Sequence, residues 1–108
     1  MVHAVDVAIV RWVDDHQPGF VECQLTDMFG TVWRFIEKLP VVSSQLMSAA
    51  SSYPQTGVIA CQVIKLGRDA VGREIVEIDT ISPWGVQAVD GTTRFHVYAD
   101  QVIELSDH

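Results

Sequence analysis

Residues 20–37 read FVECQLTDMFGTVWRFIE, and the fold class turns on them. Val21, Cys23 and Leu25 alternate with Glu22, Gln24 and Thr26. A strand over Phe20–Thr26 therefore puts three apolar side chains on one face and three polar ones on the other. Asp27-Met28-Phe29-Gly30 supplies turn chemistry, with Gly30 where a positive φ is commonly needed. From Thr31 to Glu37, Trp33 and Phe35 share one face and Val32 and Ile36 the other, so this strand is expected to be buried for much of its length. The pair makes an antiparallel hairpin from which the rest of the chain can be read.

Upstream, Val5, Val7, Ile9 and Val13 recur with the same period, while Ala8, Val10 and Trp12 make the second face apolar as well. Such a strand belongs in the middle of a fold or curls across it. Asp14-Asp15-His16-Gln17-Pro18-Gly19 joins it to Phe20 as a turn. Downstream, Leu39-Pro40 closes the meander, because proline lacks an amide hydrogen and restricts the residue before it. Between Ser43 and Tyr53 the composition shifts to Ser, Ala, Gln, Leu and Met, with Leu46, Met47, Ala50 and Tyr53 at helical spacing. The spacing predicts a short helix there, capped by Ser43 or Ser44 and ended by Pro54 and Gly57.

Strand patterns resume at Val58–Leu66 and Arg73–Thr80, with a Gly67–Gly72 loop between them. Ser82-Pro83-Trp84-Gly85 breaks the second of these. Val86–Val89 and Thr93–Tyr98 flank Asp90-Gly91, a strong hairpin signal, and Gln101–Leu105 is the final strand. The whole predicts a mainly β chain of about seven antiparallel strands in a small, partly open barrel or curled sandwich, with one short helix between strands three and four. Residues 1–108 read as a single β-rich domain, without repeat or linker.

A chain of 108 residues with 48% hydrophobic composition can bury a core without help, so no cofactor, metal or disulfide is needed for stability. Fourteen acidic residues against seven basic ones give a net charge of −7. Arg11, Arg34, Lys38, Lys65, Arg68, Arg73 and Arg94 are scattered singly along the sequence, which argues against nucleic acid as a partner. No apolar run reaches the ~20 residues of a membrane span, and the first residues lack the pattern of a signal peptide. A cytoplasmic location is expected, with Cys23 and Cys61 as buried thiols among apolar neighbours.

P-loop, dinucleotide-binding, nucleophile-elbow and zinc-protease motifs are absent, and no catalytic, cofactor or metal residues are assigned. Asp14, Asp15 and His16 put two carboxylates and an imidazole side by side, chemically able to hold a cation but equally suited to a solvated turn. Arg94, His96 and Tyr98 fall on one face of a strand as a polar stripe, either the wet side of a sheet or a contact surface. Trp12, Trp33 and Trp84 suit the core of a small barrel. Trp84, between Pro83 and Gly85, is also placed to be presented to a partner. These readings converge on a noncatalytic protein-binding module of the immunity or inhibitor kind, whose partner would be another, basic protein. The alternative is an enzyme or ligand-binding barrel with its pocket between the 14–19 loop and the 43–53 helix.

Overall fold

A computed structural model describes residues 2–105. Seven antiparallel strands form one curled half-barrel sheet: β1 (Val2–Asp14), β2 (Phe20–Thr26), β3 (Val32–Lys38), β4 (Gln55–Arg68), β5 (Glu74–Asp79), β6 (Arg94–Tyr98) and β7 (Val102–Leu105). The strand order is β3-β2-β1-β4-β5-β6, with β7 also laid against β1. The long first strand has three partners, and its second face, with Ala8, Val10 and Trp12, is only partly buried. Its N-terminal half runs between β4 (His3↔Cys61) and β7 (Val2↔Leu105), and its C-terminal half pairs with β2 (Trp12↔Val21). Register shifts between Ile9 and Arg11 and between Trp12 and Asp14 mark irregularities of the kind that bend a strand.

The inner face collects alternate residues from each strand. Val21, Cys23 and Leu25 of the opening hairpin are all buried, as are Val5, Val7 and Ile9 of β1 and Ile78 and Phe95 of β5 and β6. Curling brings the two ends of the sheet together. Val89 N donates to Arg34 O on the outer edge of β3, and Met28 N donates to His96 O on the outer edge of β6, both at 2.9 Å. Rings from the two ends meet inside, with Phe95 5.3 Å from Trp33 and 5.7 Å from Phe35 between centroids.

Three expectations need correction. The short helix lies between β3 and β4, but over Leu39–Val42 (α1) rather than 43–53. Leu39-Pro40 does close the meander, since β3 ends at Lys38, and the proline also opens the helix, where its missing N–H is no loss in a first turn. Leu39 and Val42 are the helix's buried residues. Residues 43–54 form turns because serine hydroxyls capture the backbone: Ser43 Oγ accepts from Gln45 N, Ser48 Oγ from Ala50 N and Ser51 Oγ from Ser48 N. Leu46 is fully exposed, so the segment has no continuous apolar face whose burial would stabilise a helix.

The outer face of β3 is not buried, with Val32 50% and Ile36 36% exposed. Finally, Val86–Val89 forms no strand. The Asp90-Gly91 turn is present, with Gly91 at φ 92°, but Val89 bonds across to β3 instead.

Candidate functional site

Trp84 is the most distinctive exposed side chain, 67% accessible, whereas Trp12 and Trp33 lie partly buried against the core. Its turn is well tied down. Gly85 N donates to Ile81 O at 2.8 Å and Ile81 N to Asp79 Oδ1 at 2.9 Å. Below it, the fully buried Thr80 donates its hydroxyl to Val86 O at 2.7 Å, while its amide donates to Thr93 O. An apolar ring is thus held out from a braced support.

Asp79 links this turn to the stripe on β6. Arg94 Nε donates to Asp79 Oδ2 at 3.2 Å and its Nη1 lies 3.6 Å from Glu77. His96 lies 3.9 Å from the same Glu77 and packs edge-on against the exposed ring of Phe29, centroids 6.0 Å apart. Tyr98 is half-buried under the Arg73 guanidinium, 3.4 Å above its ring centre, and its hydroxyl is 3.4 Å from Met28 O. The structure therefore connects the Trp84 turn through Asp79 to Arg94, with His96 and Tyr98 successively farther along β6 and the stripe largely engaged in contacts of its own.

Asp14, Asp15 and His16 lie elsewhere. The Trp84 turn borders the start of β1, since Ser82 and Pro83 share a groove of about 450 Å³ with Val2, His3, Cys61, Gln62 and Val63. The Asp14–His16 loop follows the other end of that strand. Both carboxylates serve local structure there: Asp14 Oδ1 accepts from His16 N and Asp15 Oδ1 from the Trp12 indole. Among the described residues no group of three His, Cys, Asp or Glu side chains is arranged to hold a metal ion.

Local structure also accounts for much of the acidity. Asp14, Asp27, Asp69, Asp79 and Asp90 each accept the backbone N–H two residues ahead, five turns opened the same way. Asp27 additionally accepts from Thr31 N and the Trp33 indole. Five of the fourteen acidic residues are thus turn-forming.

The isolated arginines of the sequence are not all isolated in space. Arg11 and Arg34 converge from β1 and β3 on Glu22 of β2, at 2.8 Å and 3.2 Å, and cover a side chain that is only 7% exposed. The hydrogen bond from Arg34, followed by that from Arg11, holds the Glu22 carboxyl below its ordinary range against the effect of burial. Burial alone would raise Asp79, but bonds from the Ile81 amide, the Thr93 hydroxyl and Arg94 outweigh it and hold this carboxyl low as well. The unfolded chain then takes up these protons at higher pH than the folded one. The stability they contribute is fully present above the ordinary values of 4.5 for Glu and 3.8 for Asp, and is lost as pH falls through and below them.

Asp6 and Glu37, both raised mainly by burial, act in the opposite sense, so the informative quantity is a difference. Glu22→Gln will lower the melting temperature at pH 7 and narrow its gap from wild type as pH falls toward 3. A gap independent of pH would show that this ion pair does not act through the charge of Glu22.

Both thiols are buried, and burial pushes Cys23 up to about 12 and Cys61 up to about 11. At neutral pH they are protonated and shielded, unlike a nucleophilic cysteine. Sequence reading missed Phe29 as a partner of His96, and it missed the exposed half of β4, where Leu66 is 72% accessible. The signal available was the cluster of aliphatic residues Val63, Ile64 and Leu66, which reads equally as a buried strand. No family model, curated protein or solved structure matches this chain.

Proposed function

We propose that this protein is a noncatalytic protein-binding module acting in the cytoplasm, in the manner of a small immunity or inhibitor protein. Trp84 carries the reading. A large ring that remains two-thirds exposed on a turn pinned by four backbone and side-chain bonds suits an interface anchor, because tryptophan loses little freedom there and offers a large apolar area. The cytoplasm suits the two free, buried thiols.

The net charge of −7 acts at long range and favours a basic partner, while the side chains around the docking surface decide the close contacts. The ligand-barrel reading draws less support, since 43–53 is not the helix that its pocket needed and large side chains fill the interior. A groove of about 460 Å³ does run over Asp6, Ala8, Gln24, Thr26 and Pro54–Thr56, but not beside the 14–19 loop.

The test is partner capture from native extract with the intact chain. Trp84→Ala will leave stability within about 0.5 kcal/mol of wild type, as for most exposed positions, yet lose the specific partner. A protein captured equally well by the variant, or no specific protein at all, would overturn the proposal.

A further inference from the structure

The unused edge of β4 extends the surface that Trp84 marks. In the strand order β1-β4-β5, β4 has β1 on one side and β5 on the other. β1 covers only Gln55–Cys61, whereas β5 covers Gln62–Arg68. Among the described residues, the β1-side edge from Gln62 to Arg68 has no strand beside it. It spans about 20 Å at the rise of a strand. Every residue along it except Val63 is exposed, Ile64 by 38% and Leu66 by 72%. The groove between Val2, His3, Val63 and Pro83 sits at its start, next to the turn bearing Trp84.

We infer that this edge takes up an extended acidic segment of a partner protein as an added strand, collinear with β1 and antiparallel to β4. Main-chain hydrogen bonding supplies the attachment in this mode, and alternate side chains supply the choice of sequence. The charge of the segment follows from β4. Its fourteen residues include Lys65 and Arg68 but no carboxylate. Arg68 is bonded to Glu74 of β5 at 3.3 Å, and Glu77 opposite Lys65 is engaged by Arg94 and His96, so Lys65 is the cation offered to an incoming strand.

A second copy of this chain fits poorly. Pairing β4 with itself about a two-fold axis would bring together two cationic edges from chains of charge −7 each. The inference rests on the protein-binding reading and names the chemistry of what binds.

The experiment uses the intact ¹⁵N-labelled chain and a blocked heptapeptide alternating valine with glutamate, followed by amide shifts. Binding will perturb Gln62–Arg68 and the Trp84 indole. Lys65→Glu will weaken it about fivefold, the size of an exposed charge contact, and a peptide N-methylated at alternate residues will not bind. No perturbation at millimolar peptide, perturbation confined to another face, equal binding of a valine-lysine peptide, or self-association through β4 would overturn the inference. The two proposals separate in partner capture: loss with Trp84→Ala but not with Lys65→Glu leaves the protein-binding reading standing and removes the edge.

Discussion

Phe95→Ala will destabilise the protein by about 3–5 kcal/mol, the usual loss when a buried phenylalanine is truncated in a core that cannot fully collapse. Phe95 is 2% exposed and stands on β6, at one end of the sheet. Its ring meets Trp33 and Phe35 of β3, at the other end, although no ladder pairs β3 with β6. The contact therefore does more than fill space. Together with the single bonds at Arg34 O and His96 O, it holds the curl closed where strand pairing does not.

Denaturant unfolding will show a lower midpoint, and near-ultraviolet circular dichroism will lose part of its aromatic signal as Trp33 gains freedom. Phe29→Ala is the matched control, because Phe29 is 71% exposed and touches the edge of His96 only at the surface. If the two variants are equally stable, the aromatic bridge across the half-barrel is not what keeps it closed.

Gly19→Ala will destabilise by about 2–4 kcal/mol, combining the left-handed backbone penalty of an alanine with the displacement of a packed ring. Gly19 has φ +100°, and an added Cβ would strike the Trp12 ring, with Cζ2 2.9 Å away. Trp12 cannot withdraw freely, since its indole donates to Asp15 at 2.7 Å. Gly19 O also receives Leu39 N, so the loop carries the start of α1 with it. Gly72→Ala separates the two causes. Gly72 has φ +86° with nothing within 4 Å of a built Cβ, so that variant will show the backbone penalty alone. Trp12 fluorescence will shift in the first variant and stay unchanged in the second. Equal losses would mean that the ring yields without penalty.

Legibility followed the range of the interaction. The Phe20–Thr26 alternation names its inward residues correctly because side-chain direction in a strand is fixed by the backbone alone. The aspartates at 14, 27, 69 and 90 were legible as turn residues for the same reason, each bonding an amide two residues away, whereas Asp79 reads as a strand residue and its bond to Ile81 was not legible. Thr31–Glu37 was half legible: Trp33 and Phe35 face in, but the exposure of Val32 and Ile36 depends on nothing packing over β3. The 43–53 segment misled because helical spacing says where side chains would point if a helix formed, while its serine hydroxyls offered nearer partners. Of the candidate surface, Trp84 was legible from its Pro-Gly setting. The distance between it and Asp14–His16 was not, since residues distant in sequence meet or separate only through strand order.

By itself, the sequence determined a chain of curled antiparallel strands with Asp-rich turns and apolar interior faces, because alternation and turn chemistry act within a few residues. Only the tertiary structure decided that Glu22 gathers Arg11 and Arg34, that Phe95 bridges the sheet ends, and that among the described residues Gln62–Arg68 is left without a strand on its β1 side. Those outcomes depend on which strand lies next to which. That choice is made by the collective burial of the core, which no local pattern encodes.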